Sequence, residues 1–302
     1  EDSEVAAYLN THFTSIKVDR EERTDLDHAY MAASLAMTGQ GGWPLNAVCL
    51  PDGRPVWTCT YLPKERFLQA LVELNALKQT HSLRAEDYAE EIHQAIQEAH
   101  RNPEGSVALD RLSVRQQIPN AWDAFWGGFR GAPKFPLSST WSAVWRWSML
   151  EDWPEGRAHV LRTVNTIAVS GTYDVVRGGI ARYSTDGAWV VPHFEKMLYD
   201  QALLARIYLH AGVALNEPRW LQVATETIDY VLRDLRQPDG GFFCAQDADS
   251  LNEHGHSVEG YFYVWSKQQF LDALPQDLHD VALDWYEVTE AGNFEETNIL
   301  SR

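Results

Sequence analysis

Gly-Gly followed by an apolar residue recurs three times in the C-terminal two thirds of this chain, at Gly127-Gly128-Phe129, Gly178-Gly179-Ile180 and Gly240-Gly241-Phe242, at intervals of 51 and 62 residues. Apolar spacing of helical period predicts helices over 139–151, 156–170, 195–213, 217–236, 266–274 and 277–287, so each interval holds about two helices. That is the period of stacked helical hairpins. Antiparallel helices return the chain to the same end after every pair, so the loops at 127–136, 178–193 and 240–261 are expected to gather around one mouth. The competing explanation is chance recurrence of a common dipeptide among 19 glycines. Only the insert after residue 236 reads as β-rich, at Gly241–Ala245 and Tyr261–Trp265.

The N-terminal third has a different grain. Phe13 to Asp19 reads as a short buried strand, followed by a helix from about Arg23 to Thr38 with Leu26, Tyr30, Ala33 and Met37 on its apolar stripe. Gly39-Gln40-Gly41-Gly42-Trp43-Pro44 breaks that helix and feeds a strand over Leu45–Leu50. An Asp52-Gly53 turn leads into a second strand, Pro55–Tyr61, pairing residue 49 with 56 and 46 with 59. A helix over Lys64–Gln79 completes the order β-α-β-β-α. An acidic amphipathic helix then runs from Arg84 to His100, and Asn102-Pro103-Glu104-Gly105-Ser106 reads as a linker. The expected organisation is a first domain over 1–82, a connecting helix and linker over 83–106, and a helical domain over 107–302.

Charge removes some function classes. With 43 acidic against 25 basic residues the net charge is −18, which repels a phosphate backbone, and the basic residues form no run, so nucleic acid is not an expected partner. No apolar stretch approaches the ~20 residues that cross a bilayer, and no membrane association is expected. Three cysteines without a Cys-x-x-Cys fit a reducing, cytoplasmic setting. In the expected register the sulfurs of Cys49 and Cys59 stand roughly 10 Å apart along the strands, too far for a disulfide.

Long motifs carry a resemblance across nearly the whole chain: Ser15-Ile-Lys-Val-Asp-Arg-Glu-Glu-Arg23 running on to Gly41-Gly-Trp-Pro-Leu-Asn46, and Pro192-His-Phe-Glu-Lys-Met-Leu-Tyr-Asp200. Gly131-Ala-Pro-Lys-Phe-Pro136, Arg182-Tyr-Ser-Thr-Asp186 and Asp247-Ala-Asp-Ser250 extend it. The chain resembles the thioredoxin-domain-containing family that includes the spermatogenesis-associated proteins. The resemblance implies an α/β thioredoxin-like domain followed by part of an α/α barrel similar to six-hairpin glycosidases and sugar epimerases. In that family a Cys-x-x-Cys motif lies just before the stretch matching Glu1–Val5. The first domain is therefore expected to be incomplete, without its first strand and redox helix, and the native start to be missing. Trp43-Pro44 matches the cis-proline loop of thioredoxin-like folds. Without a thiolate pair this chain is expected to show no thiol–disulfide exchange.

The richest candidate site is Trp189 to Asp200. Pro192 suits a first helical turn. On a regular helix His193, Lys196 and Asp200 share one face, while Glu195 and Tyr199 lie on nearly the opposite one. His193 and Glu195 converge only if His193 precedes the helix. Asp247 and Asp249 add two carboxylates in a polar loop near His254 and His256. The calcium-loop pattern fails at Leu251, and two histidines without cysteine do not argue zinc, so no metal is expected and the loop also reads as a turn and cap cluster. Most of the surrounding aromatic rings suit the core, and Tyr183 and Trp189 are the ones singled out for a sugar ring.

These residues support two readings. In the first, His193 acts with Glu195, Asp247 or Asp249 as general acid and base on a sugar-like small molecule, by epimerisation, isomerisation or glycoside hydrolysis, with Tyr183, Trp189, Lys196 and Tyr199 binding substrate and no cofactor. In the second, a non-catalytic barrel binds a ligand or client for the redox domain, its carboxylates neutralised by Lys134, Arg182 or Lys196.

Overall fold

Asp2 opens helix α1 (Ser3–His12) by accepting the backbone N–H groups of Glu4 and Val5, and α2 (Thr24–Thr38) closes on Gly39 in the left-handed region. Strands β1 (Asn46–Cys49) and β2 (Pro55–Cys59) form an antiparallel hairpin, followed by α3 (Lys64–Thr80) and α4 (Ser82–Ala99). The computed structural model describes residues 2–80, 82–99 and 110–302. The chain divides into two units, Glu1–Ala108 and Leu109–Arg302. The linker expected over 102–106 lies outside the described residues.

In the first unit α2 packs on β2, and the Tyr30 hydroxyl donates to the Gly53 carbonyl at 3.1 Å, tying the helix to the hairpin turn. Helix α4 packs on α2, β2 and α3, so it is part of this unit's body. Two expectations need correction. Asn46 pairs with Cys59 as read, but the register slips after Val48–Trp57 and Cys49 faces Pro55 in place of Val56. Proline has no N–H to give the ladder, and a bulge beside it absorbs the loss. Phe13–Asp19 is not a strand: it runs as irregular backbone with Ile16 80% exposed. Among the described residues no strand stands beside it, and an unpaired strand has nothing to hold its extended shape. The Trp43–Pro44 bond is cis.

The second unit is built on helices. After α5 (Arg111–Gln117), α6 (Ser138–Leu150) and α7 (Pro154–Val169) form one hairpin, and α8 (Leu198–Leu215) and α9 (Pro218–Tyr230) form another. A π turn, Val231–Leu235, extends α9, and α10 (Lys267–Asp272) and α11 (His279–Trp285) follow the insert. Trp141, Trp145, Val164, Ile167, Tyr208 and Val223 fill the space between the hairpins. The buried Tyr208 hydroxyl donates to the Val164 carbonyl, so its one polar atom is satisfied inside the apolar core.

The Gly-Gly repeat is a repeated turn. Asp123 donates its N–H to the Gly128 carbonyl, and Asp174 does the same to Gly179. In each, the aspartate Oδ1 caps two N–H groups, of Phe125 and Trp126 and of Val176 and Arg177. In each, a buried lysine reaches the other oxygen: Lys134 to Asp123 at 2.6 Å and Lys196 to Asp174 at 2.8 Å. A Cβ on Gly127 would come 2.6 Å from the Thr163 backbone, and one on Gly178 2.3 Å from the Glu226 carbonyl, so α7 and α9 each press directly on a turn that only glycine allows. The third copy is one residue shorter and has no lysine: Gln237 donates to the Gly241 carbonyl. Neighbouring turns touch in chain order. The Trp189 indole donates to the Trp126 carbonyl, and Arg177 pairs with Asp234 at 2.7 Å.

The insert differs from its sequence reading. Of Gly241–Ala245 only Phe242, in an isolated bridge, and Ala245, in a two-residue strand, are paired; Tyr261–Trp265 is a turn ending in an isolated bridge, and the hairpin of the insert is β7 (Asp249–Leu251) with β8 (Ser257–Glu259). Asn252 caps the connecting loop by accepting the N–H groups of His254 and His256, and Gly255 supplies a positive φ.

Candidate functional site

Residues 192–197 are extended, not the first turn of a helix. Two short ladders hold them: β4 (Pro192–His193) against β3 (Tyr183–Ser184), and β5 (Lys196–Met197) against β6 (Ala245–Gln246). Helix α8 starts only at Leu198. Period-two alternation then puts His193 and Glu195 on one face and Pro192, Phe194 and Lys196 on the other. The link from β3 to β4 is wound around Asp186, whose carboxylate accepts the N–H groups of Ala188, Val190 and Val191. Burial would raise the Asp186 carboxyl, but these donors outweigh it and hold its pKa below the ordinary value.

Tyr183 and His193 face each other across the β3–β4 ladder, and their rings stack at 4.9 Å. Phe135 lies 4.7 Å from the Tyr183 ring and is tilted by 36° against it. His193 Nδ1 is 2.7 Å from Glu259 Oε1 on β8. A carboxylate only accepts, so Nδ1 carries the proton and Nε2 keeps the lone pair in the neutral ring. Nε2 stands 3.8 Å from Glu195 Oε2, which in turn accepts from Arg182 Nη1 at 2.7 Å. Below them, in the first turn of α8, Asp200 is 9% exposed. Burial pushes its carboxyl up to about 7, with the Glu195 charge adding to the rise and Arg182 opposing it.

The site residues expected from sequence are distributed unevenly. His193, Glu195 and Tyr183 meet. Asp247 and Asp249 are exposed: Asp247 accepts the Asp249 N–H, and Asp249 accepts from the Ser257 hydroxyl and stands opposite Glu259 in the β7–β8 ladder. The desolvated carboxylate expected there is Asp200 instead. Trp189 is fully buried in the helical core with Lys134 over its ring at 5.4 Å, so it packs and does not present a face to substrate. Lys196 is 3% exposed and closes the Asp174 turn. Tyr199, on the first turn of α8, is 43% exposed. Glu259 was missed, Asp200 was read only as sharing a helix face with His193, and Arg182 was named only as a neutralising partner in the second reading, where it does meet Glu195. Arg182 lies in a quoted motif and Asp200 ends another, whereas Glu259 is 66 residues from His193 and no local signal points to it.

Among the described residues no group of three or more His, Cys, Asp or Glu side chains is arranged to hold a metal ion, and no helix is long and apolar enough to cross a membrane. Cys49, Cys59 and Cys244 are all free thiols. Burial pushes the Cys49 and Cys59 thiols up, which lowers their thiolate fraction.

Residues 1–102 match a family model described as Thioredox_DsbH, protein of unknown function, DUF255. The chain is 33% identical to spermatogenesis-associated protein 20 of Homo sapiens over 97% of its own length and 41% of that protein. It is 31% identical to the Rattus norvegicus protein of the same name, over 98% of the chain and 41% of the relative. An uncharacterized protein of Caenorhabditis elegans is 32% identical over 97% of the chain and 43% of the relative. The chain thus spans about two-fifths of the length of these curated relatives.

Proposed function

The chain belongs to the thioredoxin-domain family that includes spermatogenesis-associated protein 20, and on that footing we propose that its helical unit is an acid–base enzyme acting on a sugar-like small molecule. The observation that carries the reading is the His193–Glu259 pair beside the Tyr183 ring. An imidazole whose Nδ1 is held by a carboxylate presents Nε2 in a set orientation, which is what a general base needs. Phe135, tilted against Tyr183 and 39% exposed, offers an apolar surface to the C–H side of a sugar ring. Asp200, protonated near neutral pH, supplies a second proton carrier beside Arg182 and Glu195. The paired helices α6–α7 and α8–α9, with their repeated turns, support a partial α/α barrel of the six-hairpin glycosidase type as the scaffold.

The test is deuterium exchange at carbon-bound positions of free sugars in D2O, with release of reducing ends from glycosides measured in parallel. His193→Asn is expected to lower turnover at least ~100-fold, and Glu259→Gln roughly 10-fold with a shifted pH profile. Exchange that persists in His193→Asn rejects the assignment. One observation favours the second reading, a non-catalytic ligand- or client-binding unit: the Glu195 charge is already met by Arg182. In that case neither reaction occurs with any sugar, and His193→Asn changes ligand affinity alone.

Disulfide reduction is not expected of this chain, since thiols raised by burial and without a Cys-x-x-Cys partner make poor attacking groups. Insulin-type reduction that is lost on Cys49→Ser or Cys59→Ser would overturn this.

A further inference from the structure

On the opposite face of the 192–197 strand from His193, Pro192, Phe194 and Lys196 form one wall of a cavity of about 290 Å³. Phe262, Ile299 and Leu300 contribute apolar walls, and Arg177 and Asp174 also line it. We infer that this cavity is a second binding site, for a small carboxylate with an apolar, ring-sized body. It is about twice the ~150 Å³ that holds a benzene in an engineered cavity, which leaves room for one ring and a short side chain.

The charged groups select the head of the ligand. Lys196 and Asp174 satisfy each other: the ammonium donates to Asp174 Oδ2 and the Gly178 carbonyl, and lies 4.5 and 4.7 Å from the Tyr230 and Tyr263 rings. Arg177 is differently placed. It gives Nη2 to Asp234, and Asp234 also holds Arg233 at 2.6 Å, so two guanidinium groups share one carboxylate. Arg177 is 41% exposed at its side chain and lies 5.9 Å from the Phe262 ring. A guanidinium has five N–H donors, and a carboxylate takes two of them in a bidentate pair. In a protein of net charge −18 this is a local excess of positive charge at the edge of an apolar cavity.

The probe is phenylacetate, with phenylacetamide as its neutral analogue, titrated against the full 302-residue chain by calorimetry and saturation-transfer NMR. Phenylacetate is expected to bind at millimolar concentration or tighter, and phenylacetamide at least ~10-fold more weakly. Arg177→Gln should cost phenylacetate the same ~10-fold and leave phenylacetamide unchanged. Val176→Trp, at a cavity-lining position that is 59% exposed, should abolish both by blocking entry. Equal affinity for the two probes overturns the carboxylate assignment. No binding of either, or binding indifferent to Val176→Trp, overturns the site. Should Arg177→Gln fail to fold, the comparison of the two probes on the unaltered chain decides.

Discussion

Lys196→Met is expected to lower the stability of the helical unit by about 3–5 kcal/mol, because it leaves Asp174 as an uncompensated charge in a protein interior. Asp174 is 12% exposed at its side chain, and its Oδ2 has Lys196 as its ion-pair partner. Burial pushes the Lys196 ammonium pKa down, and the Asp174 charge and hydrogen bond, with a smaller contribution from Asp234, pull against it. The pair is thus expensive to desolvate, and the loss should come from breaking it, not from lacking it. The double variant Asp174→Asn with Lys196→Met should recover most of the stability, since no charge is then left to desolvate. Chemical denaturation with the midpoint as readout checks this, and a loss below ~1 kcal/mol in the single variant would mean the pair is screened by solvent. Lys134→Met should behave alike through Asp123, because the same turn is built twice. Gly178→Ala attacks that turn from the backbone side and should be at least as damaging, with its φ of 78° and the Glu226 carbonyl in the way.

How far the sequence disclosed this arrangement depends on the range of the contact. The helical hairpins were legible because an apolar stripe of period 3.6 is a local property, and α6 to α9 fall within a few residues of their expected bounds. The turns were half legible. Gly-Gly-apolar is visible in the sequence, and an aromatic–Asp pair also precedes two of the three, Trp122-Asp123 and Tyr173-Asp174, but the paired lysines stand 11 and 22 residues after their aspartates and share no spacing. The start of α8 was misread for a physical reason. Pro192 and the polar spacing after it suit a helix, yet the partners that keep 192–197 extended are Tyr183 on one side and Gln246, 50 residues on, on the other. Tertiary pairing overrode local propensity. Glu259 was illegible for the same reason, since a hairpin of the insert brings it to His193.

The unit should also lose stability as pH rises from about 4 to about 7, and Asp200→Asn should abolish that loss. An aspartate in water has a pKa near 3.8, whereas burial raises Asp200 to about 7. Between those values the folded chain holds a proton that the unfolded chain has released. Stability from this group therefore falls with rising pH across that window and is constant above it. A difference of about three pKa units corresponds to roughly 4 kcal/mol at 1.36 kcal/mol each. Asparagine mimics the protonated acid in shape and cannot ionise, so the variant should match the parent near pH 4 and exceed it by several degrees in Tm at pH 8. Asp123 and Asp234 titrate in the opposite sense: burial pushes each up, but Lys134 for the first and Arg233 with Arg177 for the second hold them low. Their contributions are lost as pH falls below about 4, and they are common to both proteins, so the difference between parent and variant isolates Asp200. Melting curves from pH 4 to 9 give the answer. If parent and Asp200→Asn keep the same spacing at every pH, Asp200 is ionised throughout, and the second proton carrier beside His193 is lost with it.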